Sequence, residues 1–114
     1  TSARSVPRIV AMGDFNDTPD SSPFSLIYDI LDNKGLRLYE DGHGTIRFQG
    51  KWELIDMFLT SEEFFGRSEM EIAEIPFLMV RDTSHSGMKP FRTYSGPRYI
   101  GGISDHCPII LRVY

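Results

Sequence analysis

The sequence predicts an α/β fold in which mainly antiparallel strands form one sheet with a helix on one face. Three observations carry this prediction. Short apolar runs, rich in β-branched residues and bounded by Gly, Asp or Pro, recur along the chain. One segment between them spaces its apolar residues as a helix does, and the run from Cys107 to Tyr114 reads as a closing strand. With 114 residues there is room for one core, and not comfortably for two.

Arg8 to Met12 is short, apolar and broken by Gly13, the pattern of a buried strand opening into a loop whose chemistry begins at Asp14. Phe24, Ile27, Ile30 and Leu31 then fall at helical spacing. Ser21 or Ser22 is a suitable cap, Pro23 suits the first turn, and Gly35 marks the stop, so a helix is expected from about residue 23 to 35. Thr45 to Phe48 and Leu54 to Thr60 read as two strands, with Asp56 inside the second. Ser61 to Phe65 resembles one capped helical turn, and Glu69 to Ile75 alternates acidic and apolar residues as a half-buried strand does. From Arg81 to Gly102 the periodicity fades, and a long irregular connection is expected. There is no internal repeat or low-complexity tract.

Composition narrows the function classes. With 40% hydrophobic and 25% charged residues, including eight Phe and five Tyr, the chain lies outside the range that stays disordered. No apolar run approaches the roughly 20 residues of a membrane span. The single cysteine, Cys107, excludes an intrachain disulfide, and no Cys or His cluster has zinc-site spacing. A net charge of −4 argues against nonspecific polyanion binding, while leaving room for an anionic substrate at a local site. The chain opens at Thr1 without a methionine or a targeting pattern, so a processed or cut start is expected and no compartment is read from it.

Polar groups beside predicted strands carry the chemistry: Asp14 and Asn16 after the first, Asp56 within a central one, and Ser104, Asp105 and His106 before the last. Carboxylates suit a hard divalent cation or the positioning of water, and amide and imidazole donors suit a phosphoryl group. Asp14 and Asn16 also fit the plainer role of turn formers. A carboxylate in an apolar strand costs several kcal/mol unless paired, so Asp56 needs a partner, and His106 is the natural one. Cys107 and Trp52 read as packing residues and His43 as an exposed loop residue. His85, with Arg81, Arg92 and Arg98, suits a phosphate-binding face or a solvated loop equally.

Gly13-Asp14-Phe15-Asn16-Asp17, Leu54-Ile55-Asp56-Met57-Phe58-Leu59 and Ser104-Asp105-His106-Cys107-Pro108-Ile109, in that order, resemble the three C-terminal motifs of the endonuclease/exonuclease/phosphatase superfamily, with its deoxyribonuclease I-like fold. The resemblance implies that residues 1–114 are the C-terminal portion of such a domain, half of a four-layer α/β/β/α sandwich, with the N-terminal half and its metal-binding Glu absent. It implies a metal-dependent phosphoesterase that is inactive as this fragment. Asp14 would activate or position water, Asn16 donate to the phosphate, His106 contact a phosphate oxygen and Asp56 orient His106. Asp105, with Asp14, would face Mg²⁺, Mn²⁺ being an alternative. Ser104 would shape the turn. The implied partners are a phosphate ester, the other half-domain and a second copy, the last through an apolar face bearing Met70, Ile72, Ile109 and Leu111. Two rivals stand beside this reading: a noncatalytic domain that interacts through its exposed sheet, and a metal-independent phosphate-binding module using Lys89, Arg92 and Arg98.

Overall fold

The computed structural model describes residues 8–64 and 66–114. Its first strand, β1 (Val10–Asp14), pairs antiparallel with β5 (Asp56–Thr60), and β5 also pairs with the short β2 (Asp32–Asn33). As the central strand, β5 has neighbours on both edges and is apolar on both faces, with Met57, Phe58 and Leu59 buried. These three form the core with Phe24, Leu54 and Met70.

Strand outweighs helix, and every pairing is antiparallel. The hydrogen-bonded ladders nevertheless divide into five groups among the described residues, in place of the single sheet expected. Besides β1-β5-β2 there are four pairs: β3 (Ile46–Phe48) with β4 (Lys51–Glu53), β6 (Ser68–Ile72) with β11 (Ile109–Val113), β7 (Met79–Arg81) with β8 (Met88–Pro90), and β9 (Tyr94–Ser95) with β10 (Arg98–Tyr99). The stretch from Arg81 to Gly102, expected to be irregular, thus holds three short strands and the end of a fourth. Single-turn 3₁₀ helices occupy Glu62–Phe64 and Pro76–Leu78. The first matches the expected turn after Ser61, whose last residue, Phe65, lies outside the described residues.

The long helix does not form. It is replaced by α1 (Ser22–Ser25), a series of turns, β2, and then α2 (Leu36–Glu40), which starts just where Gly35 was expected to end a helix. The apolar spacing is still used, because Phe24, Ile27, Tyr28 and Leu31 all pack on the core, whereas Ile30 is 68% exposed. Pairing of Asp32–Asn33 with β5 wins over helix continuation, and buried Asn33 holds the exit. Its Oδ1 accepts from Gly35 N at 2.8 Å while its Nδ2 donates to the Tyr28 hydroxyl at 3.0 Å. Ser21 precedes α1 without capping it, since its hydroxyl donates to Asp17 instead.

The β6–β11 pair sets Leu111 opposite Met70 and Ile109 opposite Ile72. Met70 is only 6% exposed, and the other three pack around the same core. Of the face expected to lie open, Met70 is thus buried in the core and Ile72, Ile109 and Leu111 are partly buried against it. No helix among the described residues is long and apolar enough to cross a membrane.

Candidate functional site

The register of the central ladder sets Asp14, the last residue of β1, directly opposite Asp56, the first residue of β5. Asp56 thus lies at a strand end, and not inside the strand as its sequence position suggested. Two carboxylates facing each other across a ladder repel, and something has to offset that repulsion. His106 does so. Its Nδ1 lies 2.6 Å from Asp56 Oδ2, and its Nε2 lies 3.9 Å from Asp14 Oδ2 and 3.7 Å from Asp105 Oδ1. Burial works against the charged imidazole, but the hydrogen bond and charge of Asp56, followed by the charges of Asp105 and Asp14, outweigh it. Together they hold the His106 pKa above its ordinary value.

Local turns aim these groups. Asp14 Oδ1 accepts from the Asn16 amide at 2.7 Å, closing an Asx-type turn in which Asn16 takes φ +54°, a conformation that Asn tolerates better than most residues. Asn16 is exposed beside the site, so its side-chain amide is open to a ligand. Ser104 Oγ accepts from the His106 amide at 3.0 Å, which is the turn-shaping role expected of it.

A residue that sequence reasoning passed over ties these parts together. Thr45 is fully buried, its carbonyl accepts from Cys107 N at 2.7 Å, and its Oγ1 accepts from Ile55 N and Asp56 N at 3.3 Å each. The next residue, Ile46, bridges to His106. The chain segments bearing Asp56 and His106 thus meet on Thr45. Its only sequence signal was a β-branched polar residue at the start of a predicted strand, flanked by Gly44, where a Cβ would stand 2.6 Å from Glu53 N.

All five site residues expected from sequence, Asp14, Asn16, Asp56, Asp105 and His106, therefore gather at one end of the central ladder. His43 is exposed, and His85 lies in a separate cleft with Arg92. The family model for the endonuclease/exonuclease/phosphatase family matches residues 2–114. The chain belongs to the endonuclease/exonuclease/phosphatase family. No curated protein and no solved structure matches it.

Members of this family are generally hydrolytic and commonly use divalent metals. Asp14, Asp56 and His106 each offer a donor atom within 4.8 Å of the others. Two of these are already engaged, because a 2.6 Å contact between Nδ1 and Asp56 Oδ2 leaves no space for an ion between them. Asp14 Oδ2 stays open on a side chain 48% exposed, and Asp105, outside this three-residue group, brings Oδ1 to 3.7 Å from His106 Nε2 on a side chain 49% exposed. Two accessible carboxylate oxygens suit a hard cation that keeps several waters.

Proposed function

We propose that this end of the ladder is a metal-dependent phosphoesterase centre that hydrolyses a phosphate ester with water. The observation that carries the reading is the asymmetry around His106: one ring nitrogen is held at 2.6 Å by Asp56, while the other stands 3.7–3.9 Å from two carboxylates. Asp56 fixes the Nδ1–H tautomer and supports the imidazolium. The Nε2–H then has no acceptor within hydrogen-bond distance among these groups and is available to a phosphate oxygen.

Asp14 orients the attacking water and takes its proton as oxygen bonds to phosphorus. His106 Nε2–H and the Asn16 amide donate to the non-bridging oxygens as charge builds on them. The ester P–O bond breaks, and the leaving oxygen takes a proton from solvent. Mg²⁺ or Mn²⁺ held by Asp14 and Asp105 would neutralise charge on the phosphate. In this reading the family's Glu completes the metal site from the other half of a four-layer sandwich, so residues 1–114 alone turn over little.

The test is hydrolysis of bis-para-nitrophenyl phosphate by the chain combined with a Glu-bearing N-terminal half in Mg²⁺. Turnover is expected that chelator abolishes, and His106→Ala should lower it roughly 100- to 10,000-fold with the circular dichroism unchanged. Full turnover by His106→Ala overturns the reading. Comparable turnover by residues 1–114 alone overturns the need for the second half.

A further inference from the structure

A second polar cleft, of about 250 Å³, opens beside the site between the β3–β4 and β7–β8 hairpins, lined by Arg47, Asp82, His85, Lys89, Arg92 and Ser95 among others. Asp82 is the one acid in its lining, and its charge is engaged. Its carboxylate lies 3.6 Å from Arg47 Nη1 and accepts from the Ser84 and His85 amides at 3.1 and 3.0 Å. Arg47 is itself fixed: its guanidinium donates to the carbonyls of Met88, Ser86 and Gly50, and its side chain is 7% exposed. Its buried Nε has no partner among the described residues.

Lys89 and Arg92 are different. Both are half-buried against the cleft, and neither forms an ion pair among the described residues. Lys89 stands near enough to Asp82 for its charge to act on that carboxyl, but Asp82 is already held by Arg47 and two amides, so Lys89 and Arg92 leave positive charge over in this cleft of a chain of net charge −4, which suits a local anion site.

Arg92 also lines a recess of about 290 Å³ shared with Ser104 and Asp105. Its position relative to the site is fixed by backbone: Gly102 N donates to Arg92 O at 3.0 Å and Ile103 N to Phe91 O at 2.9 Å. The approach is so close that a Cβ on Gly102 would stand 2.0 Å from Phe91 O. Asp105 and His106 follow within four residues of that clamp.

We propose that the Lys89–Arg92 cleft is a second oxyanion site, and that the substrate is a small phosphate ester carrying another phosphate beside the one hydrolysed. The proposal rests on the preceding reading for the adjacent chemistry, while its binding step stands apart. A small ester is favoured over a polymer because Lys89 and Arg92 share one cleft of limited volume and the chain as a whole is acidic. Arg98, in β10, does not line the cleft.

Pyrophosphate, titrated calorimetrically into the chain in the presence of chelator, is the probe. Binding is expected, with amide shifts in the nuclear magnetic resonance spectrum centred on residues 89–93, and Arg92→Gln or Lys89→Gln should weaken it about tenfold or more. Arg98→Gln should leave it unchanged. Absence of binding, shifts confined to Asp14 and its neighbours, or equal binding by Arg92→Gln overturns the site. Tighter displacement of pyrophosphate by a short single-stranded oligonucleotide overturns the small-ester assignment. Because no turnover is read, failure here leaves the hydrolytic centre standing, and loss of hydrolysis leaves this site standing.

Discussion

A thiol one position after the site histidine would be an obvious target for modification, yet Cys107 is buried. Burial, followed by the charges of Glu74 and Asp56, pushes its pKa up to about 11. At pH 8 so little thiolate exists that iodoacetamide should label the folded chain about 100-fold more slowly than an exposed cysteine peptide. Mass spectrometry of the labelled fraction over time checks this, and an equal rate would show an open thiol. Asp56 makes a complementary case. In Asp56→Ala the partly buried His106 ring loses its 2.6 Å partner, which should cost about 1.5–3 kcal/mol in urea denaturation. Nitrogen-15 spectra of the metal-free protein should show the Nδ1 proton fixed in the wild type and exchanging between tautomers in the variant.

Among elements, the segment joining β7 and β8 hangs on the Asp82 carboxylate. Burial raises its pKa, but the amides of His85 and Ser84 and the charges of His85 and Lys89 prevail and lower it. A depressed carboxylate contributes stability above its unfolded pKa and loses it as pH falls through the folded one. The Ser84 and His85 amide resonances should therefore stay native at pH 5 and shift only below the ordinary carboxylate range, and Asp82→Asn should remove that transition. Thr45→Val should cost about 1–3 kcal/mol through two unsatisfied amides, with Thr45→Ser milder. The site motifs were legible because a carboxylate in an apolar strand and a histidine at a strand end demand partners, and each is the other's. Thr45, Arg47 and Asp82 were not, because their hydrogen bonds go mainly to backbone amides and carbonyls, which leave no pattern of side chains to read: Arg47 donates to the carbonyl of Met88 and Asp82 accepts from the amides of Ser84 and His85. The helix was misread for the opposite reason. Spacing of apolar residues records which side chains face the core, and a run of turns can satisfy it as well as a helix can.

At the scale of the molecule, the radius of gyration is 16.3 Å, above the roughly 13 Å of a compact domain this long. The extents of 57 × 27 × 25 Å show the elongation. The core cluster draws no residue from 76–103, and the β7–β8 hairpin and the β9–β10 arm form an annex that Arg47 fastens to β3. Small-angle scattering should give this radius at low concentration, and Arg47→Ala should enlarge it as the annex loosens. We propose self-association through the apolar residues still exposed, Met12, Ile110 and Val113 among them. A scattering mass rising with concentration is expected, and a constant monomer mass would count against it. The clamp at Gly102 has a consequence of its own. The two feet of the arm, Phe91–Arg92 and Gly102–Ile103, stand together, and between them the chain turns back at Gly96 and Pro97, with Tyr94 and Tyr99 exposed. Lengthening a loop whose ends are already joined adds little closure entropy and transmits no strain past the joint. The arm is thus an exchangeable cassette: residues can be inserted between Gly96 and Pro97, or the whole tip replaced, while Asp105 and His106 keep their places.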